Sequence, residues 1–402
     1  MLKSSKLSKI AIWFVIFSLF AIFLYKFNSN HPVGFNTQGK TSYVKYEKAE
    51  VLTIKKEALT NFQNSSTIKL GSQDITVKIL SGEHKGETKD ISNYLSDTHS
   101  VYVKKGMTII VEIDTAGTQN QVLVYNYYRA PIQYLFILIF IAALCIIGRS
   151  KGFKSVVGLA FTFVCVIFLF IPMLYRGYSP VMSAILIITI VTCITLFLLN
   201  GYSSKTLSAV LGTLAGVIIA GFIALIVGNL AHLNGFNTQD VETLNMISAK
   251  FNMKVEGLLL SGILIAALGA VMDLSISIAS SIQEVYISNP KISKKELFNS
   301  GMNIGRDMMG TMANTLILAF TGSSLNMLII IYFYNVSYNQ LINMDMVNVE
   351  IIQGLTGSLA VILIVPIVSF ISSALIPAFA ADKKKANSYK GKTKKAAKAT
   401  LF

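Results

Sequence analysis

Four polar side chains, Asp273, Arg306, Asp307 and Asn314, lie within or at the edge of apolar runs long enough to cross a bilayer. A charged group at the centre of a membrane helix costs ~2.5–3.5 kcal/mol on insertion scales, so each needs a compensating role. Residues Gly262, Ala266, Gly269, Asp273, Ser277, Ser280 and Glu284 recur at steps of three and four, which lines them along one helical face. Downstream, Arg306, Gly310, Asn314 and Thr321 share a face flanked by Asp307 and Thr311. The chemistry this suits is cation binding or proton relay at Asp273, with Ser277 and Glu284 on the same path. Thr311 and Asn314 would add neutral ligands from a facing helix, and Arg306 with Asp307 would form a gate pair at the cytoplasmic edge.

Helix packing is the plainer reading of these stripes. Small residues let helices approach, and Asn or Thr bonds between membrane helices contribute only ~0.6 kcal/mol on average. Packing accounts for the glycines and serines. It does not account for Asp273, which lies roughly 16 Å of helical rise from Glu284. Arg306 and Asp307 also fit the role of boundary charges that reach for the interface.

Other chemistries are poorly served. Asp273 and Asp307 as a protease dyad would have to share a proton, whereas Arg306 adjoins Asp307 and would hold it ionised. No serine-nucleophile elbow occurs, so the chain reads as a non-enzyme. Gly34–Thr41 spells the P-loop pattern, but His31-Pro32 precedes it and a strand-like run follows from Tyr43. A P-loop needs a strand before it and a helix after it. Cys145, Cys165 and Cys193 all lie in apolar runs and the four histidines are scattered, so no metal site, disulfide framework or cofactor is expected.

The elements that must position these residues are membrane helices. Of the 402 residues 53% are hydrophobic and only 14% charged, against roughly 25% charged in soluble domains. Eight spans are expected, at about 10–27, 130–148, 154–174, 180–199, 207–229, 257–282, 307–333 and 352–379. The first reads as an uncleaved anchor because no small-residue cleavage pattern follows it. With both termini cytoplasmic, nineteen Lys and Arg fall inside and three in the short outer loops. That bias explains much of the net charge of +15 without nucleic acid. The basic tail is also suited to anionic lipid.

Residues 28–129 are expected outside the membrane as a small β-rich, OB-like barrel of five or six strands. Turn signals include Gly82…Gly86 and Lys105-Gly106, and Tyr125, Tyr127 and Tyr128 suit an interfacial anchor. Val241, Leu244, Ile247 and Phe251 predict an interfacial amphipathic helix, and Ser293 with Glu296 predicts a capping box that starts a helix at Lys294. The run from Asp307 would be ~40 Å long if straight, so it either tilts or breaks at Gly322 to leave half-helix ends at a midplane site. The expected division is anchor 1–27, β domain 28–129, seven-helix domain 130–380 and basic tail 381–402.

The run GAVMDLSISIASSIQE, then NP, then KKELFNSGMNIGRDMMGTMANTLILAFTGSSL resembles the hallmark block of the YibE/YibF-like family of bacterial membrane proteins. The likeness extends over about 130–380, and the β-rich segment resembles the amino-terminal region of longer members. It implies a polytopic protein of the bacterial plasma membrane and carries over no functional residue. The expected function is a transporter or permease embedded in the lipid bilayer, alone or as a homo-oligomer. The alternative is a non-transporting scaffold that recruits an envelope partner through its outer domain.

Overall fold

The computed structural model describes residues 2–29, 43–62, 68–116, 120–233, 235–236 and 240–399, with side chains described within 11–380. The P-loop-like Gly34–Thr41 and the side chains of the basic tail lie outside that description. The chain divides into two units, Ser29–Ile147 and a second made of Met1–Asn28 with Gly148–Phe402.

The smaller unit is a curled antiparallel sheet of β1 (Val44–Asn61), β2 (Lys69–Ile79), β3 (Thr88–Leu95), β4 (Thr108–Asp114) and β5 (Gln121–Tyr127). Their order is β3-β2-β1-β4-β5. Strand β1 is long enough to pair with β4 through its first half and β2 through its second, meeting both at Ala49 and Glu50. Register shifts after Val51 and Ile54 bend it there, as bulges do. Alternation then sends Ala49, Val51, Ile75, Val77, Ile109, Val111 and Ile113 into one core.

Polar contacts close the curl. The buried Gln73 amide donates to Glu57 Oε1 at 2.6 Å and to the Val103 carbonyl at 3.0 Å. Its oxygen accepts from the Val103 N–H at 3.0 Å and from Asn93 at 3.2 Å. The segment after β3 is thereby tied to β2, and the Tyr127 hydroxyl of β5 donates to its Tyr102 carbonyl at 3.1 Å. Tyr127 thus belongs to the β core more than to an interfacial belt. The turns at Gly82, Gly86 and Gly106 all take positive φ, as the sequence suggests.

In the larger unit, α1 (Leu2–Ser29) lays Phe17 and Phe20 against Phe161. Helix α2 (Ala130–Cys165) begins in the smaller unit, continues in the larger one from Gly148, and is interrupted at Arg149, whose φ of 47° and ψ of −128° are not helical. A π turn, Val166–Phe170, follows and leads into α3 (Ile171–Tyr175), with Pro172 in its first turn. Then come α4 (Pro180–Asn200), α5 (Ser204–Leu230), α6 (Val241–Phe251), α7 (Leu258–Ser288), α8 (Lys294–Ser323), α9 (Leu325–Phe333), α10 (Tyr338–Leu341) and α11 (Asp345–Ala399).

Six helices are long and apolar enough to cross a membrane, seven with the bent pair α8–α9 taken as one span. The runs expected at 130–148 and 154–174 lie in one 46-residue element, Ala130–Tyr175, with the non-helical Arg149 between them, so that element counts once by length and apolarity. That element would be roughly 69 Å if straight, over twice a hydrocarbon core of ~30 Å, and Arg149 divides it into two crossing lengths. The chain is a polytopic helical membrane protein with a β domain.

The core of this unit joins α4, α5, α7 and α11 through Ile187, Val191, Val217, Val271, Ile278, Ile364 and Val365. Helix α6 turns Leu244 and Ile247 toward that core and sets Phe251 edge-on to Tyr175, as its amphipathic pattern predicts. Ser293 accepts from the Glu296 N–H at 3.2 Å, and Glu296 accepts from the Ser293 N–H at 2.9 Å. This reciprocal cap fixes where α8 begins and hence the register of every polar residue along it.

Candidate functional site

Helix α7 packs by its bulky aliphatic face. Leu264, Val271, Leu274, Ile278 and Ile282 are buried, while Gly262, Ala266, Gly269, Asp273 and Glu284 are exposed. Ser277 and Ser280 are half-buried on the same stripe. Helix α8 behaves alike: Leu297, Gly301 and Gly305 turn inward, and Arg306, Asp307, Gly310, Thr311, Asn314 and Thr321 face outward. Among the described residues, the side chains of Asp273, Ser277, Glu284, Arg306, Asp307, Thr311 and Asn314 form no hydrogen bond or ion pair. Arg306 and Asp307 are therefore not paired with each other.

The two glycines set how α8 meets its neighbours. A Cβ at Gly301 would lie 2.6 Å from Ile282 Cδ1 and 2.7 Å from Ser369 Oγ, and one at Gly305 would lie 3.2 Å from Ile278 Cδ1. Ile282 therefore sits level with Gly301, and Ile278 with Gly305, in an antiparallel pair. Extending that register puts Asp273 level with Gly310, Asn314 with Gly269, and Arg306 with Ser277. Asp273 and Arg306 are thus one turn, ~6 Å, apart in depth.

Their facings are another matter. Ile282 lies half a revolution from Asp273 round α7, as Gly301 does from Gly310 round α8. The contact between the helices runs through the faces opposite the two stripes. The expectation that Thr311 and Asn314 face Asp273 across one helix pair is therefore not met within a single chain. A Cβ built at Gly262, Gly269, Gly310 or Gly322 meets nothing within 4 Å, which marks the same open surface.

Of the two expectations, a tilted straight helix or a break at Gly322, the structure has a break, at Ser324, where α8 and α9 are bent by 60°. It lies away from mid-membrane: the 17 residues from Asp307 to Ser323 already span ~25 Å, most of a ~30 Å core. Beside it a cavity of about 370 Å³ is lined by Phe320, Thr321, Ser324, Met327, Glu350 and Ile351 among others. Ser324 Oγ and Glu350 Oε2 are buried there with no hydrogen-bond partner among the described residues. Such groups are costly to leave unsatisfied, so each calls for a water, a proton or another ligand to complete it.

A second cavity, about 470 Å³, touches the same end of α11 at Ile352 and carries Asn229 and Glu256 on its wall. Ser183, Thr192 and Thr195 of α4, Ser208 and Thr213 of α5, and Ser369 and Ser372 of α11 are further buried hydroxyls without partners among the described residues. The polar interior thus lies on α4, α5 and α11, where the sequence drew no attention. Glu350 was legible only as an acid two residues ahead of an apolar run. Among the described residues, no three His, Cys, Asp or Glu side chains gather as a metal site would require.

A family model described as YibE/F-like protein matches residues 136–378, and one described as YibE/F family N-terminal domain matches residues 42–127. No curated protein and no solved structure matches the chain.

Proposed function

The chain belongs to the YibE/F-like family, and we propose that it is a transporter or permease whose path runs along α7, α8 and the start of α11. The observation that carries this reading is the cavity at the α8–α9 bend, with the unpartnered Glu350 carboxylate and Ser324 hydroxyl on its wall. Interrupted spans that line a cavity supply ion and substrate sites in secondary transporters, because freed helix ends and nearby side chains replace hydration. The bend would be the mouth of the path.

Polar groups then recur at three depths. Glu350 and Ser324 stand at the mouth, Asp273 with Asn314 and Thr311 farther in, and Arg306, Asp307 and Glu284 at the other end. An apolar slab with charge at each of these levels suits stepwise passage of a cation or proton, and Asp273 is the acid with the deepest placement.

The test is complementation of a deletion strain, with membrane levels controlled. Asp273→Asn keeps size and most hydrogen bonding but removes the charge, so it should abolish function, as should Glu350→Gln. Ser277→Ala should be mild, since one hydrogen bond between membrane helices is worth little. Full complementation by Asp273→Asn and Glu350→Gln would leave the scaffold reading, in which the polar faces serve only assembly.

A further inference from the structure

We propose that the open polar faces of α7 and α8 are covered by a second copy of this chain, with Asp273 of each copy paired to Arg306 of the other. Both side chains are exposed and unpartnered among the described residues, on helices that cross the membrane. Charged groups at such depth almost always face a bundle interior or a hydrated cavity, and pair with one another. Within one chain neither condition holds.

Three observations favour a second copy over an unrelated partner. The face carries both signs of charge: α7 offers carboxylates at Asp273 and Glu284, and α8 offers the Arg306 guanidinium with Asp307 beside it, so Arg306 of each copy has a carboxylate to meet on the other. It is also matched in depth. A two-fold axis along the membrane normal preserves depth, so the partner's Arg306 stands only one turn, ~6 Å, from Asp273 in depth, an offset that an extended arginine side chain can cover. Lastly, Gly262, Ala266 and Gly269 on one helix and Gly310 on the other leave open ground, with nothing within 4 Å of a Cβ at the three glycines. Small residues of this kind permit close helix contact in lipid. The pairing stands whether or not the chain transports. If it does, the gate assigned to Arg306 is built between copies and the path around Asp273 is complete only in the dimer.

The experiment uses the full chain with Cys145, Cys165 and Cys193 replaced, as two differently tagged copies expressed together. One copy carries Asp273→Cys and the other Arg306→Cys. A short bis-maleimide, whose spacer covers the one-turn offset that a disulfide could not, should give a double-mass band bearing both tags in membranes. Phe370→Cys, on an exposed position of α11, serves as the control and should not cross-link. Light scattering of the detergent-solubilised wild type should give twice the chain mass. Arg306→Ala should raise its dissociation constant by roughly tenfold or more, and Asp273→Arg combined with Arg306→Asp should recover much of that loss. If the cysteine substitutions reduce folding, Gly269→Cys and Gly310→Cys probe the same face. A monomeric wild type, cross-linking as strong at Phe370→Cys, or a dimer indifferent to Arg306→Ala would overturn the proposal.

Discussion

At the scale of single residues, the helical unit separates glycines that hold it together from glycines that leave it open. Gly301 and Gly305 admit Ile282, Ser369, Val365 and Ile278 so closely that a side chain has nowhere to go. Gly301→Val should therefore destabilise the protein by about 1–3 kcal/mol through overpacking, seen as a lower unfolding midpoint in detergent. An unchanged midpoint would mean that α8 is not held against α7 and α11 as described. In the β unit, Gln73 is the corresponding point, since its amide meets Glu57, Asn93 and both backbone groups of Val103. Gln73→Leu strands those groups, so a loss of roughly 1–3 kcal/mol or more is expected in urea unfolding of the β unit. These residues were not distinguished by sequence. A glycine or glutamine carries no mark of what lies beside it until the neighbouring strand or helix is in place.

At the scale of elements, what was legible depended on whether a pattern had one physical meaning. Alternation in Thr108–Asp114 marks a strand with one buried face, and β4 alternates without interruption. The Ser293–Glu296 box has one function, and α8 starts beside it. The facing of α7 was not legible, because Leu264, Val271 and Ile278 recur with the same helical period as Gly269, Asp273 and Ser277. In lipid, apolarity does not separate the side that meets protein from the side that meets chains.

The β unit should also fold alone, since its core and polar staples are its own; residues 40–128 should give a soluble, β-rich circular dichroism spectrum. Its acid response follows from three exposed carboxylates whose pKa values are lowered. Lys45 bonds Glu83, His84 and then Lys89 bond Glu87, and Lys55 with Thr76 bonds Asp90. A lowered folded pKa adds stability that is present above the unfolded value, about 4 to 4.5 for these groups, and is lost as pH falls through the folded value. The urea midpoint of the isolated unit should hinge downward below about pH 4.5, and Lys45→Met with Lys55→Met should flatten that fall. An identical acid slope in the double variant would contradict the assignment.

At the scale of the whole molecule, the proposed orientation rests on the charge bias and the proposed route on the polar groups along α7, α8 and α11. If both termini are cytoplasmic as proposed, a cysteine at Ser72 should react with an impermeant maleimide in intact cells, and one at Lys392 should not. Reaction at Lys392 would reverse the mouth and the inner end of the proposed route. Whether that route conducts is best measured directly, with the purified chain in liposomes loaded with a pH-sensitive dye or a sodium-sensitive one. Under an imposed proton or sodium gradient, wild-type vesicles should lose the gradient faster than empty ones, and Asp273→Asn vesicles should match the empty ones. Wild-type vesicles no leakier than empty ones under both gradients, or Asp273→Asn as fast as wild type, would contradict the transport account.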